Sequence, residues 1–221
     1  MIEKLKRTLE LNKDKYIRRL SELVAIDTHD LGHGIDGGLE KKGQDYLADL
    51  FREMGASVTI DPMKEEAIQK SLREYKEGNP GHNYEDRYNV YASFEGKGRK
   101  SIMFNGHVDT MPTGDLKLWN TDPHKPVIKD GKMYGLGVCD MKGGLMAAAM
   151  AVQLLKDAGI DLPGQVIITS VVDEEGGGNG SIAAAVNGQK ADAVVVCEPT
   201  NYELIAAHMG FIFFKVEIEG K

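Results

Sequence analysis

Cysteine is scarce: the 221 residues contain two, Cys139 and Cys197. Two thiols do not make the disulfide framework of a small secreted domain. Aromatic residues reach only 7%, too few for a protein that binds single strands by stacking bases. There is no basic excess, since 27 Lys and Arg stand against 34 Asp and Glu for a formal charge of −7. With no dense Lys/Arg run, a general nucleic-acid binder is excluded. The longest mostly apolar stretch, 145–155, is broken by Gln153 and is too short to span a bilayer. Residues 1–20 are charged throughout and hold no apolar signal core. These absences point to a soluble chain in a reducing, cytoplasmic setting, with no nucleic-acid or membrane partner.

Hydrophobic residues make up 42% and charged residues 28%, enough for a sizeable core and too regular for a disordered chain. At about 150 residues per domain, the length suggests one large domain, or one domain plus a fragment of a second. Ile2, Leu5, Leu9, Tyr16, Leu20 and Leu23 recur at helical spacing and predict a long amphipathic helix ending near Asp27. Residues 39–54 read as a second helix closed by Gly55, and 63–76 as an exposed, charged third. Residues 57–60, 89–94 and 101–105 are strand candidates. A loop then runs through Pro112, Pro123 and Pro126. Residues 145–158 form a helix apolar nearly all round, expected to be buried. The β-branched runs 165–172 and 193–197 suit strands covered on both faces, with 181–186 helical between them. The pattern predicts an α/β fold with three layers: a mixed, mainly parallel sheet with helices on both faces. Residues 211–219 alternate as an amphipathic strand, which either adds to the main sheet or begins another domain.

Four segments place acids or a histidine at a strand end or helix start: His107–Val108–Asp109, Cys139–Asp140, Asp173–Glu174–Glu175, and Cys197–Glu198. Strand ends are where open α/β sheets bind ligands. His107 and Asp109, two apart in extended chain, share a side. The imidazole can bind a metal through one nitrogen while a carboxylate takes the other N–H. Asp140 has two oxygens and can bridge two cations; Gly143 and Gly144 keep the helix start after it free of Cβ atoms. Glu174 and Glu175 point different ways, so one can bind metal while the other reaches a water. Glu198 is a further carboxylate ligand. One imidazole among carboxylates suits zinc, or less selectively cobalt and manganese. Singly, each segment has an ordinary reading: a weak H-x-D, a solvated acidic loop, a turn, a helix N-cap. Together they would crowd five carboxylates at one sheet edge, a repulsion that cations offset. His29, His33, His82, His124 and His208 sit in polar or glycine-rich stretches and carry no assigned role. Cys139 and Cys197 are expected to be buried and apolar.

The order GHVDT, YGLGVCDMKGG, DEEGGGNGS and CEPT strongly resembles the two-zinc amidohydrolase and exopeptidase family of acetylornithine deacetylase, succinyl-diaminopimelate desuccinylase, carboxypeptidase G and aminoacylase. Trp119, Asp122, Pro123 and Asp130–Gly131 lie where that family carries its W…DP…DG connection. The resemblance implies hydrolysis of a linear amide, in an N-acyl amino acid or small peptide. It implies that His107 and Glu198 hold one zinc, Glu175 the other, and Asp140 bridges them. Glu174 would be the general acid/base, with Asp109 orienting His107. A cis peptide between Asp140 and Met141 is also implied. The sequence departs from the family at Leu136, often Arg there, and at Cys139, often small or acidic there. Family members continue into a lid and dimerisation domain and return with a last histidine ligand. The resemblance therefore divides the chain into a catalytic part, 1–208, and the first strand of a lid, 209–221, making it look truncated at the lid. No lid-type dimer and only poor catalysis are expected of it alone.

Overall fold

The computed structural model describes residues 1–207 and 216–220. Helix α1 (Ile2–Val24) leads into a two-stranded ribbon, β1 (Asp30–Leu31) with β2 (Gly37–Gly38), and then α2 (Lys41–Glu53). Strand β3 (Ser57–Pro62), helix α3 (Glu65–Glu74) and strands β4 (Tyr88–Phe94) and β5 (Ser101–His107) follow. A small hairpin, β6 (Val127–Lys129) with β7 (Lys132–Tyr134), precedes an irregular turn, Val138–Lys142, which runs into α4 (Gly143–Asp157). Strand β8 (Gln165–Val171), helix α5 (Asn179–Val186) and strand β9 (Ala193–Val196) complete the elements.

The main sheet has the order β3-β4-β8-β5-β9. β8–β5 and β5–β9 pair parallel, while β3–β4 and β4–β8 pair antiparallel. Four strands therefore point one way and β4 alone runs against them, the mixed sheet expected. Period-2 alternation splits the strands between two faces. Val90, Ala92 and Ile168 face α2 and α4, packing with Leu47, Phe51, Leu145 and Ala149 in the main core. Tyr91 and Val171 meet Ala184 of α5 in a smaller cluster on the other face.

Helix α2 buries Gln44, Leu47, Ala48 and Phe51, one face at helical spacing. Gly55, at φ 81°, ends it in the left-handed conformation that glycine accepts freely. Only the C-terminal half of α1 packs: Leu23 is fully buried, whereas Ile2 at the other end is 65% exposed. The irregular turn and α4 together, Val138–Asp157, make a 20-residue stretch long and apolar enough to cross a membrane by length and composition, longer than the 145–155 stretch suggests. Its apolarity has a local cause here, since Leu145 and Ala149 lie fully buried against the sheet.

One expectation fails here. The 193–197 run is not covered on both faces: β9 is the sheet's outer strand, and Val194 and Val196 are 54% and 56% exposed. The hairpin at 127–134 is an element the sequence reading did not name; its turn, Asp130–Gly131, takes positive φ at both residues, which is the two-residue hairpin signature. Of the strand expected over 211–219, residues 211–215 lie outside the described residues, and the described remainder has no regular structure. His208 also lies outside them.

Candidate metal centre

Because β5, β8 and β9 run parallel, their C-terminal ends share one edge of the sheet. β5, between β8 and β9, ends in His107. β8 leads into Asp173, Glu174 and Glu175 on one side, and β9 into Glu198 on the other. Asp140 comes from the turn before α4, where it and Met141 leave helical geometry (φ −118°, ψ 104° at Asp140) and the Asp140–Met141 peptide is cis. Gly144 is what lets α4 come this close, for a Cβ there would fall on the Cys197 carbonyl.

His107, 1% exposed, is the hub. Its Nε2 lies 3.0 Å from Asp140 Oδ1, 3.7 Å from Glu174 Oε2 and 3.7 Å from Glu198 Oε1. Ligand atoms of His107, Glu174 and Glu198 all lie within 4.8 Å of one another, as do those of His107, Asp140 and Glu175. The structure thus brings together all five residues expected at the centre. It does not separate Glu174 from Glu175, since each stands in one of the two groups. Asp109 is fully buried behind them. Its main-chain carbonyl lies 2.9 Å from His107 Nδ1, closer than its carboxylate at 3.5 Å. That carboxylate accepts from the Glu175 main-chain N–H at 2.9 Å. Asp109 therefore touches His107 mainly through its backbone and links it to the Glu175 turn through its side chain.

Electrostatics show what the cluster lacks. Burial works against a charge on His107, but the Asp140 hydrogen bond and the charges of Asp109, Glu174 and Glu198 outweigh it and push the imidazole up to about 9. Burial raises Glu198 to about 7, the nearby Asp140 and Glu174 charges adding to the effect against the pull of His107. Glu175 is likewise raised, first by burial. Burial drives Asp109 up to about 8, and its Oδ1 has no hydrogen-bond partner. Asp140 goes the other way, held below the usual range by its hydrogen bond to His107. One imidazole partners several carboxylates here, a donor set short of positive charge. One nitrogen and several oxygens, converging at this spacing, fit divalent cations of the zinc, cobalt or manganese kind.

A layer behind the centre is not legible in the motifs. Asp173, fully buried, meets Arg87 Nη1 at 3.0 Å and His82 Nδ1 at 2.8 Å. Arg87 also pairs with buried Glu40, and Asn179 Nδ2 donates to Asp173 at 3.0 Å. The sequence signal available was Asp173 itself, the first acid of the DEE run. His82, read as a loop residue, has a side chain only 5% exposed. His29 and His124 stand 2.8 Å and 3.8 Å from Asp27 Oδ1 instead, and His33 is exposed. The cysteines are not buried as expected: Cys139 is exposed and Cys197 half-buried. Cys139 lies in the irregular turn and Cys197 just past the uncovered β9, so neither reaches the core.

Comparison with known proteins shows what the chain is similar to. Human carnosine dipeptidase 1 has the same fold over 89% of this chain and 41% of its own (TM-score 0.69, 22% identity). An uncharacterised metallohydrolase of Methanocaldococcus jannaschii is 30% identical over 180 residues, 72% of this chain and 44% of its own length. The N-formyl-4-amino-5-aminomethyl-2-methylpyrimidine deformylase of Bacillus subtilis is 36% identical over 104 residues, 47% of this chain and 24% of its own length. The chain thus spans less than half the length of these relatives. Residues 103–220, which carry His107, Asp140, Glu174, Glu175 and Glu198, match the model of peptidase family M20/M25/M40, and the chain belongs to that family.

Proposed function

We propose that the chain is the catalytic part of a metal-dependent hydrolase of linear amide bonds, deacylating N-acyl amino acids or cleaving small peptides. The observation that carries this reading is the convergence of one imidazole and four carboxylates on a single sheet edge. His107 and Glu198 would hold one ion, Glu175 the other, and Asp140 both. Zinc is the metal this donor mixture suits best, with cobalt or manganese able to replace it. Two bound ions supply a Lewis acid for the substrate carbonyl and lower the pKa of water. Glu174, 40% exposed at its side chain, takes the proton from the attacking water and delivers it to the departing amine. Asp109 holds His107 and the Glu175 main chain in register. On the same reading residues 1–208 form the catalytic domain and 209–221 open a lid domain, and the protein works in the cytoplasm.

The relatives named as dipeptidase and deformylase support an amide substrate and leave the acyl group open. The test is hydrolysis by the zinc-loaded chain of a panel of N-acetyl amino acids, N-formyl amines and dipeptides. Slow, zinc-dependent release of amine is expected, falling about 10²–10⁴-fold in Glu174→Gln while zinc is retained. Zinc uptake with no turnover of any amide would support the alternative, a metal-binding fragment without catalysis.

A further inference from the structure

Glu174 and Glu175 sit on a turn between Asp173 and three glycines, Gly176, Gly177 and Gly178, two of which take positive φ (122° and 80°). Glycines leave the backbone its widest choice of conformations, and here hydrogen bonds limit it: the Gly177 and Gly178 N–H groups donate to the Glu174 carbonyl at 2.8 Å and 2.9 Å, Asn79 Nδ2 donates to the Gly177 carbonyl at 2.9 Å, and the Glu175 N–H donates to Asp109. The side chain that anchors the turn where it leaves the sheet is that of Asp173. That residue is buried, lies in the left-handed region at φ 58°, and is gripped by His82 and Arg87, remote in sequence, and by Asn179, six residues on. Arg87 Nη1 is 3.0 Å from its Oδ1. His82 Nδ1 donates to Oδ2 at 2.8 Å and Asn179 Nδ2 to the same oxygen at 3.0 Å. The Asp173 carbonyl accepts from the main-chain N–H groups of Gly178 and Asn179 at 3.1 Å and 3.2 Å, closing the turn. Arg87, 2% exposed, is anchored in turn by fully buried Glu40.

Burying ion pairs gains little net stability over well-packed apolar side chains. What this network supplies is a fixed geometry at Asp173, the residue immediately before the glutamate pair. We propose that Arg87, His82 and Asn179 are positioning residues which, through Asp173, fix the direction in which Glu174 and Glu175 project into the metal centre. The inference rests on the metal-binding reading above.

Cobalt(II) titration of the chain at fixed pH, well below its unfolding temperature and followed by the visible absorption of the bound ion, tests it. Asp173→Asn is the first variant, because Asn also tolerates the left-handed conformation. His82→Leu removes one grip from the rim of the network, and His82→Gln restores a donor. The expected result is two ions in the parent chain, with the second weakened about 10–100-fold in Asp173→Asn and His82→Leu, as for lost outer partners of metal ligands. The first ion should change by less than about 3-fold, and His82→Gln should recover most of the loss. A parent chain that takes up fewer than two ions would overturn the metal reading and this inference with it. Two ions bound equally well by parent and variants would overturn the positioning role alone. So would a parallel loss of both ions in step with a lowered unfolding midpoint, which a purely structural role produces.

Discussion

On one flank of β5, the turn carrying Glu174 and Glu175 is tied down by Asp173, Arg87, Glu40 and Asn179, all buried. On the other flank, Glu198 follows β9, whose valines stand half in solvent. The same metal centre is thus built from a tightly held half and a lightly held half. Parallel strands bring ligands to one edge; how firmly each ligand is held depends on what lies behind its strand. The tight half is held by buried charge and hydrogen bonds, the light half by β5 pairing, by exposed hydrogen bonds between Asp192 and Ser101, and by the close approach of Gly144 to the Cys197 carbonyl.

The largest expected effect comes from breaking the tight half. Glu40→Ala leaves the Arg87 guanidinium buried with one carboxylate partner fewer, and uncompensated buried charges of this kind cost about 3–5 kcal/mol. Urea unfolding should show a loss of that size. Ile168→Ala and Val194→Ala sharpen the contrast next. Ile168 of β8 is fully buried, and truncating it should cost about 2–5 kcal/mol. Val194 of β9 is 54% exposed, so its truncation should stay within about 0.5 kcal/mol. Equal losses at the two sites would erase the distinction between the flanks.

The smallest effect concerns the end of α4. Burial works against ionisation of Asp157, yet hydrogen bonds from Tyr16 (2.7 Å), Gln153 and Lys15 hold its carboxyl below the usual range. A carboxyl depressed on folding adds stability above its unfolded pKa, and that gain is lost as pH falls through the folded value. The difference in urea midpoint between the parent and Asp157→Asn should therefore be widest near neutral pH and vanish in strong acid.

Much of this fold is legible in the sequence, because the strands at 89–94, 101–105 and 165–172 are runs rich in apolar and β-branched residues whose ends polar residues or glycine mark. The same bounds place His107, Glu174, Glu175 and Glu198 at strand ends, and Gly143–Gly144 places Asp140 at a helix start. The rest depends on tertiary partners. Glu40, the 82–87 segment with His82 and Arg87, and Asn179 come from separate parts of the chain, and no local spacing shows that His82, Arg87 and Asn179 meet at Asp173 with Glu40 behind Arg87. The hairpin at 127–134 has strands of three residues, too short for periodicity, though Asp130–Gly131 marks its turn. β9 reads as a covered strand because its composition is that of one; its exposure is a matter of what packs on it.

Zinc equilibrium dialysis of the chain beside His107→Ala, at matched protein concentration and with folding checked by circular dichroism, tests the central claim most directly. His107 belongs to both ligand groups, so the claim predicts two zinc ions in the parent, the first bound more tightly, and a loss of more than about 100-fold in the variant, beyond the range for outer partners alone. Zinc bound equally by both chains, or by neither, would contradict it.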